Sequence, residues 1–118
     1  MTEIPIEAEE TRLLDGRVAC FQPRRGYRSA IDPILMQAAL PVSSGQRVLE
    51  LGCGVGAAAL CLAWRAPDVS VTGLDIQAPL IDLARRGAAE NGLPDRVEFL
   101  AGDLLGPGDE TSTAGPPP

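Results

Sequence analysis

Residues 47 to 57, Arg47-Val48-Leu49-Glu50-Leu51-Gly52-Cys53-Gly54-Val55-Gly56-Ala57, constrain the fold more than any other stretch of the chain. A short apolar run passes through glycines at alternate positions and goes straight into an apolar, alanine-rich segment. This order reads as strand, loop and helix. Glycines let the backbone turn tightly and come close to a ligand, and a helix start carries N–H groups that have no partner within the helix. The loop then sits at the carboxyl end of a strand, where open α/β sheets take nucleotide-like ligands.

The chain beyond it repeats the alternation. A helix is expected over 57–66, apolar nearly all round, closed by Trp64 and Arg65 and ended by the turn at Pro67-Asp68. The β-branched run Val69-Ser70-Val71-Thr72-Gly73-Leu74-Asp75 predicts a second strand. Pro79 opens a further helix, with Leu80, Leu83, Ala84 and Ala88 on one face and Asp82, Arg85, Arg86 and Glu90 on the other. Asn91-Gly92 supplies a left-handed stop, and residues 95–103 form another strand with Val97 and Phe99 on a shared face. With right-handed crossovers, β-α-β-α-β is one half of a doubly wound parallel sheet.

Upstream, residues 1–12 show no period and read as a loose lead-in. Gly16 to Gln22 reads as a strand stopped by Pro23, and Arg24-Arg25-Gly26-Tyr27-Arg28 as a turn. Asp32 and Pro33 make a helix start for Ile34 to Leu40, ended by Pro41. Residues 106–118, rich in Gly, Pro, Ser and Thr, are expected to be disordered. The domain plan is therefore an N-terminal strand and helix extension over 1–46, a half-domain over 47–105 and a tail over 106–118. A strand at 47–51 with no neighbour on one side is an exposed hydrophobic edge, open to self-association or to a partner. A second half of the sheet is expected to have been lost or omitted.

Composition narrows the function. The chain is 45% hydrophobic and 22% charged, as in a globular protein, with a formal net charge of -6 that argues against non-specific nucleic-acid binding by this piece. Cys20, Cys53 and Cys61 lie at no metal-ligand spacing and histidine is absent, so neither a metal site nor a disulfide framework is expected. Cys53 and Cys61 read as packing residues, because no histidine exists to activate them. No apolar run reaches membrane-spanning length and the N-terminus is acidic where a secretory signal would be positive, which predicts a cytoplasmic protein with no membrane partner.

Two patterns overlap on the loop. Gly52, Gly54 and Ala57 fit the dinucleotide pattern G-x-G-x-x-A with Asp75 placed for a ribose, whereas Glu50, Gly52, Gly54 and Gly56 read E-x-G-x-G-x-G. The glycine pattern leaves both open, and the flanking segments Val71-Thr72-Gly73-Leu74-Asp75-Ile76 and Gly102-Asp103-Leu104 bear on the choice through a resemblance. Together these pieces resemble a class I S-adenosylmethionine-dependent methyltransferase with a Rossmann-like α/β fold. Asp15-Gly16-Arg17, Phe21-Gln22-Pro23 and Gly26 to Asp32 make residues 11–105 similar to the bacterial family that methylates N6 of an adenine beside the anticodon of valine tRNA. The resemblance implies that Gly52, Gly54 and Gly56 wrap the methionine part of S-adenosylmethionine, with Glu50 close by. It implies that Asp75 holds the ribose, Asp103 the adenine amino group, and Ile76 or Leu104 the ring face. Arg28 and Asp32 would border the same pocket.

That family's catalytic Asn-Pro-Pro-aromatic motif is absent, and Pro116-Pro117-Pro118 lacks its asparagine, its aromatic and the strand before it. The expectation is a cofactor-binding half, with no catalytic residue of its own and tRNA met through the rest of a parent enzyme. The alternatives are a methyltransferase for a protein or small molecule, an NAD(P)-binding oxidoreductase fragment, and a non-catalytic partner-binding module.

Overall fold

The β-α-β-α-β order expected from residue 47 onward is the order observed. The computed structural model describes residues 7–24, 38 and 40–103. Among them the chain runs β1 (Ala8–Leu13), β2 (Val18–Pro23), β3 (Arg47–Leu51), α1 (Ala57–Arg65), β4 (Ser70–Asp75), α2 (Ala78–Glu90) and β5 (Val97–Ala101). The helix expected after Asp32 falls largely outside the described residues, as do Arg28, Asp32, Leu104 and the 106–118 tail.

Strands β3, β4 and β5 form a parallel sheet in that order, with Val48 opposite Val71 and Val71 opposite Val97. Both crossovers step the same way across the sheet, so their right-handedness puts α1 and α2 on one face. The alternation of burial agrees. Val71, Gly73, Asp75, Val97 and Phe99 are covered, while Leu49, Leu51 and Leu100 on the other face are 40%, 54% and 40% exposed. Among the described residues nothing pairs with the outer edge of β3.

Helix α1 is buried almost all round, through Ala57, Ala59, Leu60, Cys61, Leu62 and Ala63. A helix with one neighbouring layer would keep an exposed stripe. Here β2, itself buried along its length, packs against both helices and covers that stripe. Gly87 lets the layers close: a Cβ there would lie 2.8 Å from Leu60 Cδ1 and 3.7 Å from the Ala19 carbonyl oxygen.

One expectation is corrected and one is narrowed. Residues 8–13 are not a loose lead-in: they form β1, antiparallel to β2 from Ala8–Pro23 to Leu13–Val18. Glu9, Glu10 and Arg12 break any apolar alternation in β1, so this strand is specified by its partner and by the turn at Leu14-Asp15-Gly16, where all three φ angles are positive. At the end of α2, Gly92 alone takes the left-handed conformation (φ 70°); Asn91 has φ -91° and turns its side chain toward β2. Among the described residues no helix is long and apolar enough to cross a membrane.

Candidate functional site

The glycine loop leaves β3 and returns at once to the sheet. The N–H groups of Gly52 and Cys53 both donate to the Leu74 carbonyl, at 2.7 and 3.1 Å. Gly54 N–H donates to Asp75 Oδ2 at 2.8 Å and Gly56 N–H to the Cys53 carbonyl at 2.9 Å. Gly52, Gly54 and Gly56 all have positive φ, which glycine adopts without the steric penalty of a side chain. Gly56 is the residue before α1 and caps it without any side chain.

Asp75, at the end of β4, is 8% exposed. Besides Gly54, it accepts the Gln77 N–H on Oδ1 at 2.8 Å. One carboxylate thus ties the loop after β3 to the turn after β4, and each oxygen keeps a lone pair for a further donor. At the end of β5, Gly102 N–H donates to the Asp75 carbonyl at 2.9 Å and brings Asp103 alongside.

The ends of the three strands enclose a crevice of about 390 Å³, lined by Gly52, Leu74, Asp75, Ile76, Gln77, Gly102 and Asp103. Gly52, Asp75, Ile76 and Asp103 are therefore brought together, and Ile76 is 64% exposed over the opening. Gly54 and Gly56 are buried beneath the loop and support this crevice without lining it. A larger hollow of about 630 Å³ follows β5 toward the other ends of the strands, past Arg47, Ser70 and Asp95, far from the loop.

Glu50 lies elsewhere. It lines an adjoining hollow of about 350 Å³ between β3 and α1, with Leu40, Val48, Ala59 and Leu62, and shares only Gly52 with the crevice. Its Oε1 is buried with no hydrogen-bond partner, and burial pushes its carboxyl up to about 7. It makes no side-chain cap to α1. Cys53 is pushed up to about 12 by burial, reinforced by the Glu50 and Asp75 carboxylates, and burial raises Cys61 to about 11. Both thiols are free and serve as packing.

The loop's hydrogen bonds bear on what it can hold. A pyrophosphate cradle needs several backbone N–H groups turned toward the ligand. Four here, those of Gly52, Cys53, Gly54 and Gly56, are turned toward Leu74, Asp75 and Cys53 instead. The orphaned Glu50 oxygen wants a hydrogen-bond donor, not an anion. The residues present therefore fit a cofactor with ribose hydroxyls and an amino group, and fit a dinucleotide poorly.

A family model described as a methyltransferase domain matches residues 48–113. The chain belongs to that family. It is 33% identical over 82 residues to the release factor glutamine methyltransferase of Chlorobaculum tepidum, covering 70% of this chain and 28% of the relative. It is 32% identical over 111 residues to the tRNA1(Val) (adenine(37)-N6)-methyltransferase of Yersinia enterocolitica, covering 88% of this chain and 44% of that protein. The chain thus spans less than half the length of these relatives. Among solved structures, an S-adenosylmethionine-dependent methyltransferase from Geobacter sulfurreducens in complex with S-adenosylhomocysteine matches with a TM-score of 0.55 and 35% identity, over 61% of this chain and 28% of that one. The [4+2]-cyclase SpnF matches with a TM-score of 0.57 and 28% identity, over 65% of this chain and 28% of that one.

The β3-to-β5 unit of this methyltransferase-family chain is the cofactor-binding half of a class I Rossmann-like fold, the fold that serves S-adenosylmethionine. Family membership sets the nicotinamide alternative aside. It leaves the narrower resemblance to the tRNA-modifying branch as one among several, since enzymes named for protein and small-molecule substrates match as well. Reading the residues alone missed the contribution of Gln77, whose N–H completes the Asp75 cradle. It also missed Gly73, although a glycine inside a strand signals close approach by another group.

Proposed function

We infer that residues 47–103 bind S-adenosylmethionine as part of a methyltransferase. The carrying observation is the Asp75 carboxylate, fixed by the Gly54 and Gln77 N–H groups at the mouth of a crevice whose glycine loop holds its own N–H groups inward. The ribose hydroxyls donate to the remaining lone pairs of Asp75, and the adenine lies between Ile76 and Asp103. The methionine part lies beside Gly52, the one residue that the crevice shares with the adjoining hollow of Glu50. Leu104, Arg28 and Asp32 complete the pocket by resemblance. The cofactor supplies an already activated methyl group, so the protein's work is to bind, orient and exclude water.

The substrate reading is adenine N6 in tRNA, carried out by a parent enzyme in the cytoplasm. Its support is the reach of the match: the tRNA-modifying relative aligns over 88% of the chain, against 70% and 84% for two release factor enzymes. A protein or small-molecule substrate is the second reading, favoured by the release factor and demethylmenaquinone relatives. The edge of β3, unpaired among the described residues, and its exposed Leu49 and Leu51 support strand-to-strand contact with a second copy or another polypeptide.

Calorimetric titration with S-adenosylhomocysteine and with NAD tests the cofactor reading. Binding of the first but not the second, abolished in Asp75→Ala, is expected. Preference for NAD, or an Asp75→Ala variant that binds as tightly as the parent, overturns it.

A further inference from the structure

We propose that Phe99 is a positioning residue for the cofactor site: its ring sets the height of the glycine loop above the sheet. Phe99 is among the largest fully buried side chains, and it reaches two glycines from different segments. A Cβ on Gly56 would lie 2.5 Å from Phe99 Cζ and 2.8 Å from Cε1. A Cβ on Gly73 would lie 2.7 Å from Phe99 Cδ1 and 2.9 Å from Cε1, with Cys53 Sγ 2.8 Å away on the same spot. The ring therefore rests against the backbone of the last loop glycine above and the middle of β4 below, with nothing but glycine backbone between it and each.

That arrangement differs from ordinary core filling. Both glycines occur where any other residue would push the ring aside. Gly56 begins α1, and Gly54, two residues earlier, is bonded to Asp75, so a shift of the ring moves the loop relative to the carboxylate. The backbone carrying the ring is itself held. Arg85 Nε donates to the Phe99 carbonyl at 3.0 Å, and Gly102 N–H ties the end of β5 to Asp75. Phe99 thus joins the middle of β4 and of β5 to the loop that leaves β3, although it does not line the crevice itself.

The ligand arm of the test rests on the S-adenosylmethionine reading; the first arm does not. In the ligand-free full-length chain, hydrogen exchange of the Gly54 and Gly56 amides is measured relative to that of Val71, whose N–H lies inside the sheet. Phe99→Leu and Phe99→Met, which both replace the flat ring by a smaller aliphatic chain, are expected to raise this loop-to-strand ratio at least about tenfold. Val69→Ala, a core truncation distant from the loop, speeds all three amides together and leaves the ratio unchanged. S-adenosylhomocysteine affinity, measured well below each variant's melting temperature, is expected to fall about tenfold or more in the Phe99 variants, because a small misplacement of a binding group is enough. An unchanged ratio in both Phe99 variants, or a ratio that Val69→Ala raises equally, overturns the proposal. A raised ratio in a chain whose parent does not bind S-adenosylhomocysteine overturns the cofactor reading and leaves the role of Phe99 standing.

Discussion

The side-chain amide of Asn91 closes on both backbone groups of Ala19, its Oδ1 accepting the Ala19 N–H at 2.8 Å and its Nδ2 donating to the Ala19 carbonyl at 2.6 Å. These residues are 72 apart in sequence. The amide acts as a one-residue strand along the edge of β2 that β1 leaves open, and it also caps α2 through the Gly87 carbonyl at 2.7 Å. Asn91→Ala leaves both Ala19 groups unpaired in a buried strand, and is expected to lower unfolding free energy by about 2–3 kcal/mol in urea titration. Asn91→Asp keeps the acceptor but sets a carboxylate oxygen against the Ala19 and Gly87 carbonyls, and at neutral pH is expected to cost at least as much as Asn91→Ala.

The carboxyl of Glu50 makes stability depend on pH in an unusual direction. Burial raises it from the ordinary 4.5 to about 7 in the folded chain, so the native state holds a proton that the unfolded chain has released. The full contribution is present below about pH 4.5 and is lost as pH rises toward 7, with a ceiling of about 3 kcal/mol before local relaxation. Glu50→Gln removes this titration. Denaturation midpoints across that range are expected to stay flatter in Glu50→Gln than in the parent, and above pH 7 the variant is the more stable.

The loop glycines are not equivalent. Gly52 has φ 70° and open space within 4 Å of where a Cβ would lie, so Gly52→Ala meets only backbone strain, about 1–2 kcal/mol. Gly56 has φ 81° and faces the Phe99 ring at 2.5 Å, so Gly56→Ala adds a steric clash and is expected to cost more than about 3 kcal/mol. Paired chemical denaturation of the two variants measures the difference.

Arg96 holds the far end of α1. Its guanidinium donates to the carbonyls of Ala63 at 2.9 Å, Ala66 at 3.2 Å and Val69 at 2.9 Å, which satisfies the helix end and the turn leading into β4. Arg96→Ala is expected to lower stability by about 3 kcal/mol, and Arg96→Lys to recover less than half, because a single ammonium cannot reach three carbonyls set in a fork. Thermal melts of both variants decide this.

Much of the half-sheet is legible in the sequence because its signals are local. Pro79 at a helix start, the β-branched residues of 69–75 and the glycines of 52–56 each act on the backbone within a few residues. The place of Asp75 at the end of β4, beside the crevice, is legible for the same reason, since it lies one strand beyond the glycine loop. Residues 8–13 are not, because a strand studded with Glu9, Glu10 and Arg12 advertises no period and exists only through its pairing with β2. Asn91 reads locally as part of a left-handed stop because its true partner is nowhere near it in sequence.

The amino-acid sequence by itself determined the order of strands and helices from residue 47 to 103, their parallel arrangement and the end of the sheet that carries the glycine loop. Short-range periodicity, glycine freedom and crossover handedness suffice for these. Only the tertiary structure decided that the loop's N–H groups turn inward to Leu74 and Asp75, that Glu50 is left in a separate hollow without a partner, and that Phe99 bears on Gly56 and Gly73. Those outcomes depend on which distant backbone and ring atoms come within hydrogen-bond or van der Waals reach. No local propensity encodes that distance.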